Sequence, residues 1–261
     1  MSISTTRPPA IVRRGPRFWW TSYWSMLRWV LTQHRFLFGV VLGAQVLMGV
    51  GAAIMYRFYI GEVDGTFAAY LVSGIPALSI IPVGFVMVPI LVIQEKARGT
   101  HEYTWSLPVA RLAPVAATFT VFAAISIPVA AVATWVAAGR FGVDLSLSAA
   151  ALPVAVLVSL MGTSVGYGMA MAIPEPRITN LLVNVIVFLV LMFSPIVVPI
   201  ERFPDWAEAA HRVLPFFHMA NAIRSSVVEG LGTGTAESLA VMGIWLVLGW
   251  GAVAWVVGRR D

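Results

Sequence analysis

The chain has 261 residues, of which 59 % are hydrophobic and 11 % charged, and its mean hydropathy is +0.86. A soluble domain carries about 25 % charged residues, so this chain cannot cover a globular surface with ionic groups, and a soluble enzyme is excluded. The net charge of +5 comes from residues flanking apolar runs, which orients a chain in a bilayer, and the absence of cysteine excludes disulfides, thiolate catalysis and cysteine-ligated metals.

Residues 1–35 carry Arg7, Arg13, Arg14, Arg17, Arg28 and Arg35 and no acid. Within them Thr21, Ser25, Arg28, Thr32 and Arg35 recur at spacings of four and three, one face of a helix. Phe18, Trp19, Trp20, Tyr23, Trp24, Leu27, Val30 and Leu31 fill the rest. Indole prefers the headgroup level, so 17–35 is expected to be an interfacial helix on lipid, able to pack on protein as well.

Charge-free runs follow at 36–56, 66–94, 112–139, 145–174, 178–200 and 238–258. A helix needs about 20 residues to cross a core of roughly 30 Å, and in lipid the backbone must satisfy its own hydrogen bonds. The expected fold is therefore an all-α membrane protein: a cytoplasmic segment 1–35, then a six-helix transmembrane domain 36–261. Its spans are placed at about 36–56, 67–93, 112–138, 146–173, 178–200 and 238–257. Pro76, Pro82 and Pro89 predict a kink in the second helix. The first run is too long for a signal-peptide core, so no cleavage is expected. With the N-terminus in the cytoplasm, inside segments hold 12 of the 17 basic residues and outside segments 8 of the 12 acids. Both termini are accordingly placed inside.

Several chemistries are missing. Lys96 is the only lysine and no glycine-rich turn precedes it, so there is no Walker A motif; the chain is expected to hold no cofactor and to be no enzyme by itself. Gly230, Gly232 and Gly234 read as linker. The six runs contain no Asp, Glu or His, which disfavours an ion-coupled carrier. Gly162-Thr163-Ser164-Val165-Gly166 fits a nucleophile pattern but lies in an apolar helix without a histidine base, and reads as a close-packing face. Glu208, His211 and His218 form a weak metal-ligand pattern and read as loop or interfacial residues. Asn180 and Asn184 share a face of the fifth helix, where they either bond to a neighbouring helix or line a polar path.

Two loops carry more information. Residues 95–111 begin with charge, break at Gly99 and end in a short amphipathic stretch closed by Pro108. This predicts a helix extension, a turn and a second short helix capped by Thr100, where a soluble partner could grip it. In the external segment 201–237, Asp205 and Glu208 have capping-box spacing and predict a helix over 205–213. Leu214-Pro215 breaks it, and Phe216 to Val228 predicts a second helix. The external helices, within 204–229, are expected to dip into the outer leaflet as a re-entrant hairpin.

On this six-span frame the chain resembles the membrane subunits (permeases) of type-2 ATP-binding-cassette (ABC) exporters. The resemblance rests on Glu95, Lys96, Arg98, Gly99, Thr100, Glu102 and Pro108 after the second span, and on Ser194, Pro199, Phe203, Pro204, Asp205 and Trp206 after the fifth. Pro215, Phe216, Ala222 and Arg224 extend it. Pro195, Leu214 and His101 depart from it: glycine, asparagine and an aliphatic residue are usual there.

The resemblance implies two permease copies, identical or paralogous, each docking a separate ATPase subunit that holds ATP and Mg. The residues named in 95–111 would form the coupling helix. Ser194, Pro199, Pro204, Trp206, Pro215 and Phe216 would form an external gate, and substrate would pass between two copies of the first, second and fifth helices. An apolar, aromatic path suits a hydrophobic or amphipathic cargo (drug, antibiotic or lipid-like) exported across the cytoplasmic membrane of a prokaryote. Membrane lipid is an expected partner and nucleic acid is not. An ATP-independent channel or carrier and a non-transporting scaffold stay open as alternatives.

Overall fold

A computed structural model describes residues 15–61, 65–232 and 234–258; Arg7, Arg13 and Arg14 lie outside the described residues. Helix α1 (Pro16–Gln33) meets α2 (Arg35–Ile60) at His34. Next, α3 (Gly65–Pro82) passes through a π-helical turn (Val83–Met87) into α4 (Val88–Ala97), and α5 (Thr100–Ser106) follows. The remaining helices are α6 (Ala113–Phe141), α7 (Ala151–Ala172), α8 (Pro176–Phe193), α9 (Asp205–Val213), α10 (Pro215–Val227) and α11 (Thr235–Gly258). There is no strand among the described residues.

By length and composition, five of these helical segments can cross a membrane: α2, the continuous α3–α4, α6, α7 and α11. The expected fifth span, 178–200, is corrected to the shorter α8, which stops at Phe193. Pro195 drives the residue before it out of the helical region, and Ser194 is extended (φ −90°, ψ 140°). The expected fourth span also begins later, at Ala151. Residues ahead of it run beside the end of α10 instead, where Ser146 N donates to Val227 O and Ser148 N to Ser226 O.

The core sits around α3–α4, whose most apolar stretch is 78 % buried inside the one chain. Proline cannot donate to the preceding turn, and the predicted kink takes the form of the π turn between Pro82 and Pro89. That turn meets α7 without intervening side chains. A Cβ added to Gly166 would lie 2.0 Å from Gly84 O, and one on Gly84 would lie 2.4 Å from the Gly162 carbonyl carbon. Ser164, between the two α7 glycines, donates its hydroxyl to Met161 O and abuts Gly249 of α11. The glycine–serine pattern is thus a packing face. In lipid, such close backbone approach replaces the hydrophobic drive that helix contacts have in water.

Helix α1 has three faces. Ser22, Met26 and Val30 are buried, and the two apolar ones pack on Ala113, Ala117 and Val121 of α6. Trp20, Trp24 and Leu31 are exposed along a second stripe, and Thr21, Ser25, Arg28 and Thr32 along a third. The periodicity of 17–35 recurs in the structure, with protein covering one side.

Candidate functional site

The α5 end is built around a turn. Gly99 takes φ +70°, a backbone state that favours glycine, and reverses the chain between α4 and α5. Thr100 does not cap α5, correcting the expectation. It is the first helical residue after Gly99, and no side chain caps that end among the described residues. Thr104 donates its hydroxyl to the Thr100 carbonyl.

Neighbouring charges tie this turn to different helices. Glu95 Oε1 lies 3.1 Å from His34 Nε2, at the α1–α2 junction. Lys96 Nζ donates to Ala170 O and to Ile173 O at the end of α7, where helix carbonyls lack intrahelical partners. Inside α5, Trp105 Nε1 donates to Nε2 of the buried His101 at 3.0 Å, which places the neutral imidazole proton on Nδ1. This explains how a histidine fits where an aliphatic residue was expected. Helix α1 also reaches the segment, through Ala110 N donating to Ser22 Oγ and through the Trp29 and Tyr103 rings at 6.2 Å.

Arg98, Gly99, Glu102, Tyr103 and Pro108 remain exposed. A cleft of about 570 Å³ opens beside Lys96 and Glu102, walled by Pro174, Pro176 and Trp255. The structure therefore brings together the predicted residues of 95–111. It adds His34, Ser22 and Trp29, which no short-range pattern could assign because their partners lie tens of residues away.

The opposite end holds α9 and α10, with bounds close to those expected. Asp205 is not the cap of α9; Pro204 occupies that position and Asp205 is the first helical residue. There its charge still favours the helix N-terminus. Glu208, the fourth member of the expected capping box, instead accepts from Arg212 at 2.7 Å. His218 lies between Arg212 O (2.8 Å) and Ser238 Oγ (3.2 Å), away from Glu208. His211 packs on the Phe203 ring; burial pulls its imidazole below the ordinary value, and a backbone contact with Phe193 opposes this. No metal-holding group of three is found among the described residues.

All of α10 except Phe217 and Ser225 is buried, against α3, α7 and α11. Phe216 meets Phe85 of the π turn at 4.8 Å between ring centres. The predicted gate residues do not form one cluster. Ser194 and Pro199 bracket an extended turn, and Ser194 and Pro215 are buried. Pro204, Trp206 and Phe216 line an apolar cleft of about 590 Å³ together with Phe193 and His211. The side chain that joins this end is Arg224, quoted above only as part of the family-like tail. Its signal was in plain view, since it is the lone charge between Pro215 and Val228.

On α8, Asn180 and Asn184 are exposed within the chain. Asn184 Nδ2 donates to Asn180 O one turn back. Leu181, Val185 and Phe188 are exposed beside them.

A family model described as ABC-2 type transporter matches residues 33–228, from the α1–α2 junction through α10. No curated protein matches the chain.

Proposed function

Because the chain belongs to the ABC-2 type transporter family, a membrane subunit of an ABC transporter that implies an ABC ATPase partner, we propose that it is the permease of an ATP-driven exporter. Segment 95–111 is the docking site for the ATPase subunit, which holds ATP and Mg; this chain binds neither and catalyses nothing alone. The observation that supports this most is the construction of the α5 end. Exposed charges at Arg98 and Glu102 stand on a turn tied to α1, α2 and α7. A partner gripping that turn moves several helices, which fits a machine whose free energy arrives from outside. Coupling requires the ATPase to prefer one of two permease conformations.

In this reading α8 and the turn after it complete a sixth crossing, and α9–α10 form a hairpin re-entering the outer leaflet. Both termini lie in the cytoplasm of a prokaryote, with α1 on the inner leaflet. Two copies, identical or paralogous, meet across α8, whose exposed Asn180 and Asn184 suit a partner helix better than lipid. The substrate path is narrower than a lining by three helices: α3–α4 is mostly covered by its own chain, while α2 and α8 present open faces. A hydrophobic or amphipathic cargo, drug, antibiotic or lipid-like, suits those faces.

The test is co-purification of the chain with the products of its neighbouring genes, followed by transport assays. A stoichiometric subunit with a Walker A motif is expected, and Glu95→Ala with Arg98→Ala should at least halve ATPase-coupled transport. A clean oligomer without an ATPase, or full transport by that variant, would favour a channel, a carrier or a scaffold.

A further inference from the structure

The largest fully buried side chain of the described residues is a cation, Arg224, 2 % exposed. Its guanidinium carbon lies 3.6 Å from the centre of the Tyr70 ring. Nε donates to Ser73 Oγ at 3.1 Å and an Nη donates to Ile196 O at 2.8 Å. Ser73 is free to accept because its own proton goes to Tyr70 O. Tyr70 Oη stands 3.4 Å from both Pro195 O and Val198 O, which share its single proton. Gly74 closes the contact: a Cβ there would stand 2.5 Å from Ile196 O.

Three carbonyls of the Ser194–Pro199 turn therefore accept from side chains outside it. Pro195 and Pro199 have no N–H to bond with. Beside the Ile196 side chain in the core and the Ile196 N to Ser194 O bond, these side-chain donors are what tie the turn's carbonyls to its neighbours. Tyr70, Ser73 and Gly74 stand on α3, which continues through the π turn and α4 to the Lys96 anchor. Arg224 stands on α10. One buried charge thus joins the end of α8, the hairpin and the helix that reaches the α5 end. A buried guanidinium left without its ring and acceptors would be costly, so the pocket and the cation are stable only together.

We propose that Arg224 is the positioning residue that keeps the hairpin end of the permease closed, by clamping the Ser194–Pro199 turn onto α3. The word "closed" rests on the permease reading; the clamp itself does not. Because the chain lacks cysteine, Ser194→Cys supplies a unique thiol at a buried site whose hydroxyl has no partner among the described residues. The full chain, in lipid nanodiscs without ATPase, is treated with a maleimide in Arg224, Arg224→Lys and Arg224→Met backgrounds. Val158→Cys, at a fully buried α7 position, reports general loosening.

Loss of two charge-assisted bonds should raise labelling at 194 by at least about tenfold in Arg224→Met. Arg224→Lys should fall between, because it keeps the charge and loses the fork. Position 158 should stay unlabelled throughout. Equal labelling at 194 in all backgrounds overturns the clamp. So does a joint rise at 194 and 158, which would mean that Arg224 only supports the fold. A positive result from a chain that captures no ATPase would keep the clamp and sink the exporter.

Discussion

The continuous helix α3–α4 and helix α8 are both apolar and both border prolines, yet the fold uses them in opposite ways. The first is enclosed by α2, α6, α7, α8 and α10, and its π turn lies backbone to backbone on α7. The second buries Thr179, Val183 and Val190 and leaves Leu181, Val185 and Phe188 open, with two asparagines on the same side. Apolar residues face protein in one helix and something outside the chain in the other. Hydropathy cannot tell these apart, because lipid, a second copy and the chain's own core are equally apolar solvents for a leucine. Close backbone approach can: Gly84, Gly162 and Gly166 sit where the π turn and α7 touch, whereas α8 has no glycine at all.

That contrast can be broken most directly at the α3–α7 contact. Gly166→Leu would place its Cβ 2.0 Å from Gly84 O, against backbone that cannot yield, and is expected to cost about 3 kcal/mol or more. Thermal unfolding in nanodiscs should show an early transition or no folded protein. A variant melting like the parent would mean that this contact is dispensable and α3–α4 is no more a scaffold than α8.

A smaller effect is expected at Lys96, where the scaffold helix is anchored to α7. Lys96→Met abandons the carbonyls of Ala170 and Ile173, worth about 1.5–3 kcal/mol for bonds to a charged donor. Hydrogen exchange should rise over 170–176 while α10 keeps its protection. Unchanged exchange there would show that the α5 end is held by α1 and α2 alone.

The smallest effect on the isolated chain belongs to α8. Asn180→Leu with Asn184→Leu should shift its stability by no more than about 0.5 kcal/mol, since both sites are exposed. Association of two copies, measured by subunit counting in bilayers, should nevertheless change. If association is unaffected, the interface lies elsewhere, and α2 becomes the next face to examine.

Much of the architecture was legible because membrane helices obey a one-dimensional rule: twenty apolar residues in a row must be helical. The α1 stripe followed from periodicity and the break at Leu214-Pro215 from proline, whereas the helix over 205–213 was read from a capping box that the structure does not form. The cap assignments at Thr100 and Asp205 failed for a local reason. The glycine and the proline just before them had already set the chain direction, so no hydroxyl or carboxylate was needed at the cap. The length of α8 failed through proline too, since Pro195 ends a helix that hydropathy would carry to 200.

From composition and spacing alone came the membrane environment, the helical class, the charged turn at 95–111 and the two helices broken at Leu214-Pro215, because each is a property of neighbouring residues. Which helix is enclosed, which faces outward, and that Arg224 meets Ser73 across 151 positions of chain were decided only in three dimensions. Those contacts depend on how helices stack side by side, and among residues that are nearly all apolar the sequence order carries almost no record of who the neighbours will be.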